Sequence, residues 1–141
     1  MPKSERCRGI RVLIVDDDPA MVAAMGTLLE MEGAEVATAT NATDALQQLH
    51  LRAPAIVLAD LGMNGQDGYA LIEKIHSMPE FDRLPVIALT GSARQEDILR
   101  CRQAGFHGHI CKPVVFEDLV QHLVDAVGTR PKASLKRSSQ D

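Results

Sequence analysis

Three consecutive aspartates, Asp16, Asp17 and Asp18, stand directly after the apolar run IRVLIV. Three more residues with chemistry of their own occupy comparable places: Asp60 after AIVLA, Thr90 after PVIAL, and Lys112 after Cys111. Carboxylates within a few ångströms of one another repel, so such a cluster either protonates or holds a cation. Carboxylate oxygens completed by water suit Mg²⁺, which keeps positions open for a phosphate oxygen. A lysine adds a fixed positive charge and a threonine a hydroxyl. Together these are the parts of a phosphoryl-transfer site: positive groups to neutralise equatorial oxygens, and a carboxylate to accept. Singly, each has an ordinary explanation. Asp16 to Asp18 suit a helix N-cap, Asp60 a turn, Thr90-Gly91 a loop, and Lys112-Pro113 a turn with a solvated lysine. What points to chemistry is their joint occurrence at four strand ends in the required order.

The elements that must position them alternate along the chain. Ile10 to Val15 is a β-branched run ending at Asp16. A helix is predicted from Pro19, which suits a first turn, to about Glu32, with Gly33 as its stop. Glu35 to Ala39 reads as a short strand. Asn41 is placed to cap a helix over Ala42 to Leu51, whose Ala42, Ala45, Leu46 and Leu49 form one stripe. Ala55 to Ala59 is a buried-type strand, Asp67 to Ser77 a helix with Leu71, Ile72 and Ile75 on one face, and Pro85 to Leu89 another strand. Ala93 to Ala104 is a polar helix stopped by Gly105. Gly108 to Cys111 is a last short strand, and Val115 to Val127 a closing amphipathic helix.

Uniformly apolar strands alternating with helices imply a parallel sheet covered on both faces. Right-handed crossovers then restrict the α/β fold to a doubly wound, five-stranded, flavodoxin-like sheet in order 2-1-3-4-5 with five helices. Ligands bind in such sheets beyond the carboxyl ends of the strands, at the point where the strand order reverses. Here that point lies between the first and third strands, which brings Asp16, Asp17 and Asp60 together with Thr90 and Lys112 beside them.

The chain of 141 residues suits one domain, with 45% hydrophobic and 24% charged residues. The expected division is an N-terminal extension at 1–9, a domain at 10–128, and a disordered tail at 129–141, TRPKASLKRSSQD, which has little to bury. A formal net charge of -4 argues against direct nucleic-acid binding. The three cysteines, Cys7, Cys101 and Cys111, form no CxxC and read as free thiols. His107, His109 and Cys111 would share one strand face without forming a tetrahedron for zinc. With no apolar run near a membrane span and no apolar leader among Met1 to Gly9, a cytoplasmic location is expected.

Four stretches, VLIVDDDP (Val12 to Pro19), LADLGMNGQDG (Leu58 to Gly68), IALTGSA (Ile87 to Ala93) and HICKP (His109 to Pro113), make the resemblance specific. Over residues 10 to 127 the sequence resembles the receiver domains of two-component response regulators, and GFHGHICKPV looks most like receivers of hybrid histidine kinases. The resemblance implies a phosphoprotein of phosphorelay signal transduction rather than an enzyme, one that assists its own phosphotransfer and dephosphorylation. Asp60 would be the phosphoacceptor. Asp16, Asp17, Asp60 and the backbone carbonyl of Gly62 would hold Mg²⁺, and Thr90 and Lys112 would contact the phosphoryl group. The Lys112-Pro113 bond is expected to be cis. A histidine kinase or phosphotransfer domain would be the donor. A downstream protein would read the surface of the fourth helix, fifth strand and fifth helix, with Thr90 and His109 as its switch.

The sequence departs from the family in places. Met63-Asn64 replaces the frequent Met-Pro, and His109 stands where an aromatic residue is usual. Gly62 and Ser92, at positions where the family tunes hydrolysis, are both small. Asp18 is not a family ligand and reads as a helix cap. Two other readings stay open: a haloacid-dehalogenase-type phosphatase with Asp16 as nucleophile, and a degenerate receiver used only for docking. The second needs loss of an acid, the threonine or the lysine, and none is lost. With no output domain read after residue 128, the chain is expected to be a stand-alone regulator or a receiver from a larger protein.

Overall fold

A computed structural model of the protein describes residues 5–62 and 68–128. Five strands, β1 (Arg11–Val15), β2 (Glu35–Ala39), β3 (Ile56–Asp60), β4 (Val86–Thr90) and β5 (Gly108–Cys111), alternate with five helices. These are α1 (Pro19–Met31), α2 (Ala42–Leu51), α3 (Gly68–His76), α4 (Gln95–Ala104) and α5 (Phe116–Gly128). All strand pairs are parallel, in the order β2-β1-β3-β4-β5. This is the doubly wound order expected from the sequence.

Alternation along each strand divides the core in two. Val12, Ile14, Ile56, Leu58, Ile87, Leu89 and Ile110 face the α1 and α5 side, against Val22, Met25, Leu29, Leu119 and Leu123. Leu13, Val15, Val57, Ala59, Val86 and Ala88 face the other side, against Ala45, Leu49, Leu71, Ile72, Ile75 and Cys101. Because both faces are buried, a slip of one residue would exchange the two cores, so the register is strongly specified.

That register aligns the strand ends. Val15 pairs with Ala59, so Asp16 and Asp60 each come next on neighbouring strands. Thr90 pairs with Cys111, so Lys112 comes next on β5. Asp60 and Thr90 are the last residues of their strands rather than the first beyond them. The ladder runs on past Asp60 because Leu61 N–H donates to the Leu89 carbonyl (2.9 Å), and Lys112 N–H donates to the Thr90 carbonyl (2.7 Å).

Local chemistry sets the helix starts. Asp18 caps α1 by accepting from the Ala20 and Met21 amides (3.0 and 3.3 Å), and Asn41 caps α2 through the Asp44 amide (2.8 Å). Helix α4 begins at Gln95 rather than Ala93, because Arg94 is held extended (ψ 145°). A 3₁₀ turn at Pro79–Phe81, unforeseen in the sequence, buries Phe81.

The N-terminal extension expected at 1–9 is packed against the domain where the structure describes it. Cys7 is fully buried beside Leu29, Ala34 and Ile56, and its N–H donates to the Glu32 carbonyl at 2.8 Å. Arg6 pairs with Glu32 (2.9 Å) and with Glu117 at the start of α5 (2.7 Å). Gly33 (φ +93°) permits the close approach: a Cβ there would lie 3.0 Å from the Arg8 Cα. One cysteine in a polar stretch carries no periodicity, so no pattern announced the packing. The tail at 129–141 and Met63-Asn64 lie outside the described residues.

Candidate functional site

Asp16 is 1% exposed, Asp60 5% and Thr90 8%, while Asp17 at the same edge is exposed. Each of Asp16, Asp17 and Asp60 offers a carboxylate oxygen within 4.8 Å of the other two. The Lys112 Nζ donates to Asp60 Oδ1 at 3.1 Å and lies 3.4 Å from Asp16 Oδ2. The Asp18 N–H donates to Asp16 Oδ1 (3.0 Å) and the Gly62 N–H to Asp60 Oδ1 (3.2 Å). Thr90 Oγ1 accepts from the Ser92 N–H at 3.1 Å. The peptide bond between Lys112 and Pro113 is cis, as expected.

Burial pushes the Asp16 carboxyl above its ordinary range. The Asp18 amide works against this, Asp60 adds to it, and Lys112 opposes it. For Lys112, burial favours the neutral amine, but the Asp60 hydrogen bond and the charges of Asp16 and Asp60 outweigh it and leave the ammonium raised. One ammonium faces three carboxylates, so the cluster keeps an excess of negative charge. All its side-chain acceptors are oxygens, and Asp17 opens it to solvent. That donor set fits a hard divalent cation that retains water. Among the described residues this is the group of His, Cys, Asp and Glu side chains placed to hold a metal.

The geometry is that of a carboxylate-lined pocket at the carboxyl ends of the strands. Residues 12–124 match the family model of the response regulator receiver domain. The chain belongs to this family. The receiver is 40% identical over 103 residues to a 14.6 kDa protein in the sodA1 3′ region of Leptolyngbya boryana, covering 73% of this chain and 79% of that one. It is 35% identical over 112 residues to the sensor histidine kinase RcsC of Salmonella typhi, covering 79% of this chain but 12% of that protein. In structure it matches a response regulator receiver domain protein (CheY-like) from Methanospirillum hungatei JF-1, with a TM-score of 0.76, 31% identity, and coverage of 84% and 94%. It spans only a small part of larger relatives such as RcsC. Receivers are the phosphoryl-accepting signalling modules of two-component systems, and their acidic pocket takes Mg²⁺.

Asp16, Asp17, Asp60, Thr90 and Lys112 lie at this edge of the receiver. Asp16, Asp17, Asp60 and Lys112 are brought together directly, and Thr90 ends the adjacent strand. Gly62 stands next to Asp60 through its N–H. Asp18 points into the α1 cap instead. His109, on β5, is half-buried along a groove shared with Asp118, Gln121 and His122 of α5. The phosphatase reading gains nothing from the family match, which is to the receiver domain over residues 12–124. Sequence reasoning missed the link from Thr90 through Ser92 to Asp97. Its one trace was an acidic residue in the first turn of a predicted helix. No helix among the described residues is long and apolar enough to cross a membrane.

Proposed function

We propose that this receiver takes a phosphoryl group from the phosphohistidine of a histidine kinase or phosphotransfer domain onto Asp60, in a Mg²⁺-dependent reaction. The observation that carries the reading is Lys112 reaching across the strand ends to Asp60 at 3.1 Å, inside a cluster of three carboxylates. Asp60 Oδ1 is held by the Gly62 amide and by Lys112, which leaves Oδ2 as the attacking atom. A P–O bond forms to Oδ2 as the P–N bond to the donor imidazole breaks, and the imidazole nitrogen keeps the electron pair. Lys112 neutralises charge on the transferred oxygens, and Thr90 donates its hydroxyl to one of them. Asp16, Asp17, Asp60 and the Gly62 carbonyl would hold Mg²⁺, which supplies charge neutralisation for the same oxygens.

Small residues at Gly62 and Ser92 leave room for the water that later hydrolyses the acyl phosphate. Thr90 and His109 make up the switch, and the α4–β5–α5 face presents the result to a downstream protein in the cytoplasm. An acidic chain is a poor direct ligand for nucleic acid. The resemblance to RcsC supports a histidine kinase or its phosphotransfer domain as donor.

The test is intact mass after incubation with Mg²⁺ and acetyl phosphate. Wild type should gain one phosphoryl group and Asp60→Asn none, because an amide is a poor nucleophile. Normal modification of Asp60→Asn with none of Asp16→Asn would reverse the assignment.

A further inference from the structure

Between β4 and α4 a chain of hydrogen bonds runs out of the site. Thr90 Oγ1 accepts from the Ser92 N–H (3.1 Å). The Ser92 hydroxyl donates to Asp97 Oδ2 at 2.6 Å and accepts from the Arg94 N–H at 3.2 Å. The Arg94 Nε donates to the same Asp97 oxygen at 3.2 Å. The short O–H···O⁻ contact belongs to the strong, charge-assisted class. The Ser92 hydrogen bond, with help from Arg94, also holds the Asp97 carboxyl below its ordinary range, so it is the charged form that makes this contact.

The helix end of the chain is anchored. Cys101 is 3% exposed in the core, and the Arg100 guanidinium lies 4.1 Å from the centre of the Tyr69 ring, which itself packs edge-on against Phe106. An advance of Thr90 would therefore displace the loop relative to α4. Two things follow from the bonding. The single Ser92 hydroxyl proton is spent on Asp97 and is not available to the site. Any advance of Thr90 toward a phosphoryl group on Asp60 draws Ser92 along through its N–H and stretches the Ser92–Asp97 contact.

We propose that Asp97, acting through Ser92, is a positioning residue that latches Thr90 in the unphosphorylated arrangement and thereby sets the affinity of the site for its phosphoryl group. The proposal rests on the function proposed above. A ligand that requires the unlatched loop must supply the free energy to break the latch, so removing the latch tightens that ligand.

The test is the affinity of the full chain for beryllofluoride, a mimic of the phosphoryl group on Asp60, in the presence of Mg²⁺. Asp97→Ala and Ser92→Ala should each bind it more tightly, by about tenfold or more, the worth of one hydrogen bond to a charged group. The double variant should gain no more than either single one, since both remove the same contact. Asp97→Asn keeps an acceptor for Ser92 and should fall between wild type and Asp97→Ala. A purely structural role for Asp97 predicts the opposite sign: a looser site with weaker binding. Unchanged or weaker binding by Asp97→Ala overturns the proposal, and additive gains in the double variant overturn the route through Ser92. If wild type binds no beryllofluoride, the phosphoacceptor reading fails, and the latch with it.

Discussion

Asp16→Asn should make the unphosphorylated protein more stable in metal-free buffer at neutral pH while removing its response to Mg²⁺. Asp16 is 1% exposed, and the amide replacing it keeps an oxygen for the Asp18 N–H, which bonds at 3.0 Å in the native protein. With an effective dielectric of about 20, Asp60, with a carboxylate oxygen within 4.8 Å of one of Asp16, repels it by about 3 kcal/mol or more. Lys112 at 3.4 Å attracts it by about 5 kcal/mol on the same basis. The lysine side chain is 28% exposed, so solvent screens much of that attraction, and the two terms come close to cancelling. What remains is the cost of burying the charge, which the amide avoids. The net gain should be about 1–2 kcal/mol, an upward shift in melting temperature of about 5 °C for a domain of this size.

The sign against pH follows from the raised carboxyl of Asp16. In the window between its unfolded and folded values the folded state binds more protons than the unfolded state. Wild-type stability at this site therefore falls as pH rises through that window. The advantage of Asp16→Asn should accordingly be full at neutral pH and fade as pH drops below the ordinary carboxylate range, where Asp16 is protonated in both states. Mg²⁺ binding to the folded state then stabilises wild type by mass action and narrows or reverses the gap. Thermal unfolding followed by circular dichroism, with chelator or with Mg²⁺ across a pH series, measures all three effects. A variant less stable than wild type in chelator at neutral pH, or a gain that persists in acid, would refute the account of Asp16 as a buried, poorly compensated charge.

Three further outcomes are expected. Gly33→Ala should cost about 1–2 kcal/mol in urea unfolding, from the positive φ and the contact with the Arg8 backbone; an unchanged midpoint would mean that the N-terminal turn does not pack against the end of α1. The NMR resonances of the His109 ring should shift on adding beryllofluoride with Mg²⁺, and unmoved resonances would take His109 out of the switch. Deleting Pro131 to Asp141 should leave melting temperature and phosphorylation unaltered, because TRPKASLKRSSQD offers little apolar surface; a large drop would show that the tail docks.

Element types and their order were legible in the residues because parallel strands buried on both faces read as unbroken apolar runs, and because Asp18, Asn41 and Gly105 mark helix ends through side-chain or backbone chemistry that acts locally. The order of Asp16, Asp60, Thr90 and Lys112 at successive strand ends was legible for the same reason, since right-handed crossovers leave few ways to assemble such a chain. What the residues alone did not carry were relations between segments distant in sequence. Cys7 under the end of α1, and Arg6 between Glu32 and Glu117, depend on where two helices happen to end in space. The 2.6 Å contact of Ser92 with Asp97 depends on a loop held extended at Arg94, which displaced the expected helix start by two residues. The charge states of the site also belong to the tertiary structure, because the raised carboxyl of Asp16 comes first from burial. Local chemistry acts over a turn or a strand end and leaves its mark in the order of residues, whereas burial and cross-chain distance exist only once the sheet has closed over its two cores.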